Sequence, residues 1–200
     1  AKNLKGFHVA PIYGGQGYHI QLRALERGAH VIVGTPGRVM DHLRRGTLSV
    51  KSLKTLVLDE ADEMLKMGFV DDVEWILEQI PTEHQTALFS ATMPTSIQNI
   101  SKRYLKDAVK IHIKATEKTI DTIEQCYTLI TSHQKIDLLT RFLEVEDMQA
   151  SIIFTRTKNT SAELAEKLQA RGYAAAALNG DMNQSAREKV IERIKRGSLD

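Results

Sequence analysis

Residues 55–62 read Thr55-Leu56-Val57-Leu58-Asp59-Glu60-Ala61-Asp62, an apolar run that ends abruptly in acids. Three consecutive apolar residues with no polar alternation imply a strand covered on both faces, as in a parallel sheet flanked by helices. Val31-Ile32-Val33 repeats the pattern. Around these two runs, short β-rich segments alternate with helical periodicity, which predicts an α/β fold. Strands are expected at Phe7 to Tyr13, His30 to Thr35, Thr55 to Leu58, Thr86 to Ser90 and Val109 to Ile113. Helices are expected at Ile20 to Arg27, Val39 to Arg45, Asp71 to Ile80 and Thr95 to Leu105, with Gly28 and Gly46 closing the first two.

After Ile113 the polar stretch Lys114 to Thr122 has neither periodicity and reads as a linker. A second α/β series follows, with strands expected at Ile123 to Ile130, Ala150 to Thr155 and Ala174 to Leu178. Its helices are expected at His133 to Glu144, Ser161 to Ala170 and Gln184 to Arg196. This organisation predicts two α/β domains, residues 1–113 and 123–200, joined by 114–122.

With 42% hydrophobic and 26% charged residues the chain can bury a core. Net charge is only +2, with 14 basic against 12 acidic residues before position 114 and 13 against 13 after it. A nucleic-acid site would therefore be a local patch rather than a global basic field. The single cysteine, Cys126, cannot form an internal disulfide, which fits a reducing, cytoplasmic address. No apolar run approaches the roughly 20 residues of a membrane span. The seven histidines show no metal-ligand spacing with one another or with Cys126 and read as ordinary surface or core residues.

Acids at 59–62 could simply favour the start of a helix, where the dipole is positive. An apolar strand delivering a carboxylate at its C-terminal edge is also the Walker B arrangement, in which Asp holds a Mg²⁺ bridging nucleotide phosphates. Asp59 would hold that metal, and Glu60 would orient and deprotonate the attacking water. Ser90-Ala91-Thr92 closes a second apolar strand 31 positions after Asp59, and Pro94 suits a first helical turn just beyond it.

Asp59-Glu60-Ala61-Asp62 and Ser90-Ala91-Thr92, in this order and context, make the chain resemble the DEAD-box RNA helicases. Met64-Leu65-Lys66-Met67-Gly68-Phe69, Phe89-Ser90-Ala91-Thr92-Met93-Pro94 and Leu178-Asn179-Gly180-Asp181-Met182 are most similar to the bacterial cold-shock subfamily. The resemblance implies two RecA-like domains of the P-loop NTPase type, ATP and Mg²⁺ as cofactors, RNA as partner, and ribosome-assembly or RNA-decay proteins as further partners. It implies that Ser90 and Thr92 pair with Asp62 and couple hydrolysis to strand separation, and that Asp59 and Glu60 reach the metal, through water where needed.

The same resemblance extends to RNA contacts. Thr35-Pro36-Gly37-Arg38 corresponds to motif Ib, although Pro36-Gly37 alone also suits a type II turn. Gly14-Gly15 with Gln21 corresponds to a segment where backbone approaches the RNA strand. Ser151 to Thr157 resembles motif IV, and Gln184 to Arg187 resembles the Gln-x-x-Arg element; Thr155, Arg156, Asn179, Gly180, Gln184 and Arg187 are the candidates there, with Phe154 as a packing residue. No glycine is followed by lysine, so a Gly-Lys-Ser/Thr loop is lacking, and no histidine is followed by arginine, so the arginine-finger motif is lacking too. The resemblance implies a chain that begins inside the first motor domain, ends inside the second, and is inert alone, holding RNA or a protein. A dinucleotide-binding alternative from Gly15-Gln16-Gly17 fails because Ile20 stands where the third glycine belongs.

Overall fold

The computed structural model describes residues 5–81, 83–113 and 123–200. The expected linker at 114–122 lies outside these residues. Two compact units are present, Ala1–Ile113 and Lys114–Asp200.

In the first unit, β1 (Val9–Ile12) pairs in parallel with β2 (Val31–Gly34), and β3 (Thr55–Leu58) pairs in parallel with β4 (Gln85–Leu88). The strands form two separate two-stranded sheets. Each parallel pair is bridged by helix, as parallel pairing requires. The helices α1 (Tyr18–Glu26) and α2 (Pro36–Arg44) follow β1 and β2, and α3 (Ala61–Lys66) and α4 (Val70–Gln79) lie between β3 and β4. The last helix of the unit is α5 (Thr95–Tyr104).

The core forms where β3 meets α4 and α5. Val73 and Leu77 recur one helical turn apart on α4, Ile100 comes from α5, and all three close on Leu58. Asp71 and Asp72 occupy the first turn of α4, where acids suit the dipole. Each fully buried side chain of this kind contributes roughly 1.5–3 kcal/mol. Ile97, on the same helix as Ile100, is also fully buried.

Between β2 and α2 the chain turns with no room to spare. A Cβ on Gly34 would collide with the Val39 side chain and stand 3.0 Å from the Ile12 carbonyl oxygen. Glycine at 34 therefore lets α2 start directly against β1.

Thr35-Pro36-Gly37-Arg38 opens a helix, as its place after a strand implies, and the alternative type II turn does not form: Pro36 and Gly37 are the first residues of α2, with Pro36 at a position where its missing N–H costs nothing. The short helix α3 answers the alternative reading of the acids at 59–62 as a helix start, with Asp62 and Glu63 in its first turn. Its six residues are set by Gly68, whose φ of +86° ends the helix in a conformation that glycine adopts without strain.

In the second unit a 3₁₀ turn at Ser132–Gln134 leads into α6 (Lys135–Val145), followed by α7 (Lys158–Ala170) and α8 (Gln184–Lys195). Thr157 caps α7 by accepting from Thr160 N–H at 3.1 Å, and Asn183 caps α8 by accepting from Ala186 N–H at 2.9 Å. The strands expected at 109–113, 123–130, 150–155 and 174–178 form no ladder among the described residues. A β-branched run signals a preference for the pleated surface, but a strand exists only where a neighbour supplies the hydrogen bonds. At Ala174 these bonds go to Asp200: Ala174 N–H donates to Asp200 Oδ2 at 2.6 Å, and Asp200 N–H donates to Ala174 O at 3.1 Å. Phe154, expected as a packing residue, is 92% exposed.

Candidate functional site

The acidic segment sits where β3 ends. Leu58 O accepts from Phe89 N–H at 2.8 Å, and Ala61 N–H donates to Phe89 O at 3.0 Å, so the ladder with the segment after β4 is held on both sides of Asp59 and Glu60. Asp59 and Glu60 are exposed, and Asp59 Oδ1 accepts from Glu60 N–H at 3.0 Å. Glu60 is left-handed, with φ +49° and ψ +44°, a conformation that costs a non-glycine residue roughly 1–2 kcal/mol. Such strain is retained where the surroundings impose it, commonly at functional sites.

Asp62 is the third acid and lies in a different medium, only 2% exposed. Its Oδ2 accepts from Thr92 N–H at 3.0 Å and from the Thr92 hydroxyl at 2.6 Å. Its backbone N–H donates to Ser90 Oγ at 3.3 Å, and the Ser90 hydroxyl donates to Thr92 O at 2.6 Å. The Thr92 hydroxyl is the main reason the Asp62 carboxyl is pulled down to about 2, outweighing the opposing effect of burial. The carboxylate is therefore a fixed negative charge held by neutral donors. These bonds bring Ser90 and Thr92 onto Asp62 across 28 and 30 residues of chain.

Mg²⁺ takes oxygen donors and usually keeps several waters, using one or two protein carboxylates. Among the described residues no group of three or more His, Cys, Asp or Glu side chains could hold a metal. Exposed Asp59 and Glu60 fit a metal of that largely hydrated kind, with Asp59 Oδ1 already engaged by backbone.

A second cluster joins the loop after β1 to the start of α2. Gly14 and Gly15 are exposed, and Gly15 has φ +80°. Thr35 is exposed at the head of α2, whereas Pro36 is buried and Gly37 and Arg38 are half-buried. Gln21 is fully buried, so its side chain cannot touch RNA. Its amide nitrogen donates to Tyr13 O and to Gln16 Oε1, both at 2.9 Å. Its Oε1 accepts from Arg38 Nη1 at 2.9 Å and meets His42 Nε2 at 3.0 Å. Gln21 and Pro36, both expected as contacts, are thus buried, Gln21 bonded to Tyr13 O just before the exposed Gly14 and Gly15, and Pro36 directly after exposed Thr35.

In the second unit, Arg187 Nη2 donates to Asn179 O at 3.3 Å and to Gly180 O at 3.1 Å. Lys158 pairs with Asp181 at 2.9 Å across the same loop. Thr155 donates to Thr157 O at 3.1 Å, and Arg156 is exposed beside it. Thr155, Arg156, Asn179, Gly180 and Arg187 therefore gather at one end of the unit. Gln184 turns along its own helix to Glu188 Oε1 at 3.2 Å.

Residues 1–100 match the family described as DEAD/DEAH box helicase, and residues 134–200 match the helicase conserved C-terminal domain. The chain belongs to the DEAD/DEAH box helicase family. The ATP-dependent RNA helicase DeaD of Buchnera aphidicola subsp. Schizaphis graminum is 56% identical over 200 residues, all of this chain and 33% of that protein. DeaD of Escherichia coli K12 is 54% identical over the whole chain and 32% of its own length. The chain thus spans about a third of the length of the curated relatives it matches. Among solved structures, a DEAD box protein from the hyperthermophile Methanococcus jannaschii is 42% identical, with a TM-score of 0.54 over 98% of this chain and 52% of that one. Saccharomyces cerevisiae Dbp5 bound to RNA and ADP BeF3 is 30% identical, with a TM-score of 0.78 over 96% of this chain and 49% of that one. The parallel α/β architecture of this DEAD-box chain is that of the family's RecA-like domains.

Sequence reasoning missed Tyr18, His42 and Thr47. His42 is fully buried, stacked on Tyr18 with ring centroids 4.5 Å apart, and Thr47 Oγ1 lies 2.8 Å from its Nδ1. The one local signal was the spacing of Arg38 and His42, one helical turn apart on α2.

Proposed function

We propose that this chain is the central part of an ATP-dependent RNA helicase that remodels short RNA duplexes by coupling ATP hydrolysis to closure of two RecA-like domains on RNA. Residues 1–113 would be the C-terminal part of the first domain, 114–122 the linker and 123–200 the N-terminal part of the second. The observation that carries this reading is the bonding of Thr92 to Asp62, beside exposed Asp59 and Glu60. It joins an acidic nucleotide-site segment to a second strand end that lies outside it.

Asp59 and Glu60 would hold Mg²⁺, partly through water, and the metal would neutralise charge on the phosphates of ATP. Glu60 accepts the proton of the attacking water. Asp62, kept ionised by Thr92, transmits the state of the acidic segment to residues 90–92. RNA phosphates meet Gly14, Gly15, Thr35, Gly37 and Arg38 in the first unit and Thr155, Arg156, Asn179, Gly180, Gln184 and Arg187 in the second, with Gln21 and Pro36 acting from below. Contacts to phosphate and sugar position RNA without reading its sequence. A cytoplasmic setting, cold-shock expression and ribosome-assembly or RNA-decay partners extend this reading by resemblance to bacterial relatives.

In the full-length protein Glu60→Gln should abolish turnover while ATP and RNA still bind, because the amide cannot accept the proton. Near-normal hydrolysis in that variant would remove Glu60 from the mechanism. A second reading, an RNA- or protein-holding chain without catalysis, is favoured by the lack of any glycine followed by lysine. RNA binding by the 200-residue chain without RNA-stimulated ATP hydrolysis would establish it for the chain alone.

A further inference from the structure

We infer that His42 is a positioning residue: as a neutral imidazole protonated at Nε2, it fixes the Gln21 amide so that the amide oxygen holds the Arg38 guanidinium. The argument begins at Gln21 Oε1, which can only accept. It already accepts from Arg38 Nη1 at 2.9 Å, and His42 Nε2 stands 3.0 Å away, so Nε2 must carry a proton. Flipping the amide would turn its NH₂ against Arg38 Nη1, which can only donate, and its oxygen against the Tyr13 carbonyl, which can only accept. Both of these bonds of a fully buried amide would be lost, each unsatisfied group costing a desolvation penalty.

Thr47 meets the other side of the ring and can serve either protonation state. Its hydroxyl is 2.8 Å from Nδ1 and 3.2 Å from the His42 carbonyl oxygen. With a neutral ring it donates to Nδ1; with a cationic ring it would have to accept there and donate to the carbonyl. The groups around the ring favour the neutral form. Arg38 and Arg45 belong to or adjoin the same helix, with guanidinium carbons 5.5 and 4.9 Å from the centroid of the Tyr18 ring that stacks on His42. Asp41 acts the other way, but its carboxylate is bonded to Arg45 at 2.8 Å. On the α1 side the ring meets Tyr18 and Gln21, which are neutral. A relay therefore runs from Thr47 through His42 and Gln21 to Arg38, and it holds this cation against the loop after β1, where Arg38 Nη1 also donates to Gln16 O at 3.3 Å.

The functional part of this inference rests on the reading that Arg38 meets an RNA phosphate. Four variants separate the two ideas: His42→Phe, which keeps a stacked ring but no donor; His42→Gln, which restores an N–H donor; Thr47→Val; and Arg38→Ala. Long-range ¹H–¹⁵N spectra of the protein should show His42 as the Nε2–H tautomer. The Arg38 guanidinium signal should move in His42→Phe and return in His42→Gln. Binding to a short oligouridine RNA should weaken several-fold in both Arg38→Ala and His42→Phe, with the log–log salt slope falling by about 0.7, one phosphate contact on a single strand. His42→Gln should restore both. If His42→Phe does not fold, Thr47→Val should shift the Arg38 signal in the same direction. An Nδ1–H tautomer, or an unmoved Arg38 signal in a folded His42→Phe, overturns the relay. A salt slope unchanged in Arg38→Ala but a moved guanidinium signal in His42→Phe keeps the relay and removes RNA phosphate as its target.

Discussion

Thr92 meets Asp62 with both of its donors, the backbone N–H at 3.0 Å and the hydroxyl at 2.6 Å, on a single carboxylate oxygen. The second oxygen, Oδ1, is buried and finds no partner among the described residues. The attachment is thus one-sided and depends on Thr92. Removing the hydroxyls with Ser90→Ala and Thr92→Ala should lower RNA unwinding roughly tenfold, about the weight of a hydrogen bond to a charged group. ATP hydrolysis should fall much less, since neither hydroxyl adjoins Asp59 or Glu60. Paired ATPase and strand-displacement assays check this; parallel losses would contradict a coupling role.

Acid titration should reveal Asp62 and His42 in separate windows. Asp62 has a carboxyl lowered from 3.8 to about 2, so the unfolded chain takes up its proton first; its stabilisation is complete above about 4 and disappears as pH falls through about 2. His42 is lowered from 6.5, first by burial and then by Arg38, so its stabilisation is full above 6.5 and is lost as pH falls below that value. Urea midpoints measured from pH 7 downward should show an early loss absent in His42→Gln and a late one absent in Asp62→Asn.

Gly34→Ala should destabilise the chain by roughly 1–3 kcal/mol, the usual range for forcing a methyl group into packed surroundings. The Val39 side chain can rotate away, but the Ile12 carbonyl belongs to β1 and cannot. Adding Val39→Ala should recover only part of the loss in urea unfolding, because the backbone contact persists.

Glu60 offers a test of sign. In an ordinary helical or turn position alanine is more stable than glycine, but a left-handed residue reverses the order. Glu60→Gly should therefore exceed Glu60→Ala in unfolding free energy by about 1 kcal/mol, while both lack ATPase activity.

The acidic segment was legible because its determinants are local. Leu56, Val57 and Leu58 announce the strand, and Asp59 follows at its end. Ser90 and Thr92 could be matched to Asp62 only through family resemblance, since a bond across 30 residues leaves no local trace. Gln21 misled for the same reason in reverse. Its match to a family segment that approaches RNA suggests a contact, whereas its burial depends on Arg38 and His42, which lie far along the chain. The second-unit strands failed because Ile152, Ile153 and Phe154 carry strand preference without a partner ladder. Pro36-Gly37 fits either a turn or a helix start, and the helix is made by Val39 N–H, which donates to Thr35 O at 3.1 Å.

The two bonds made by Phe89, to Leu58 O and from Ala61 N–H, have one more consequence. They pin both feet of a two-residue arch, Asp59-Glu60, to the peptide groups of one residue. The arch is short, so the backbone fixes where its two side chains leave the chain, while their own rotamers place the carboxylates. Exchanging either acid for its amide leaves the arch standing. Lengthening or shortening it by a single residue must release one foot, and with it the alignment that places Asp62 beneath Thr92.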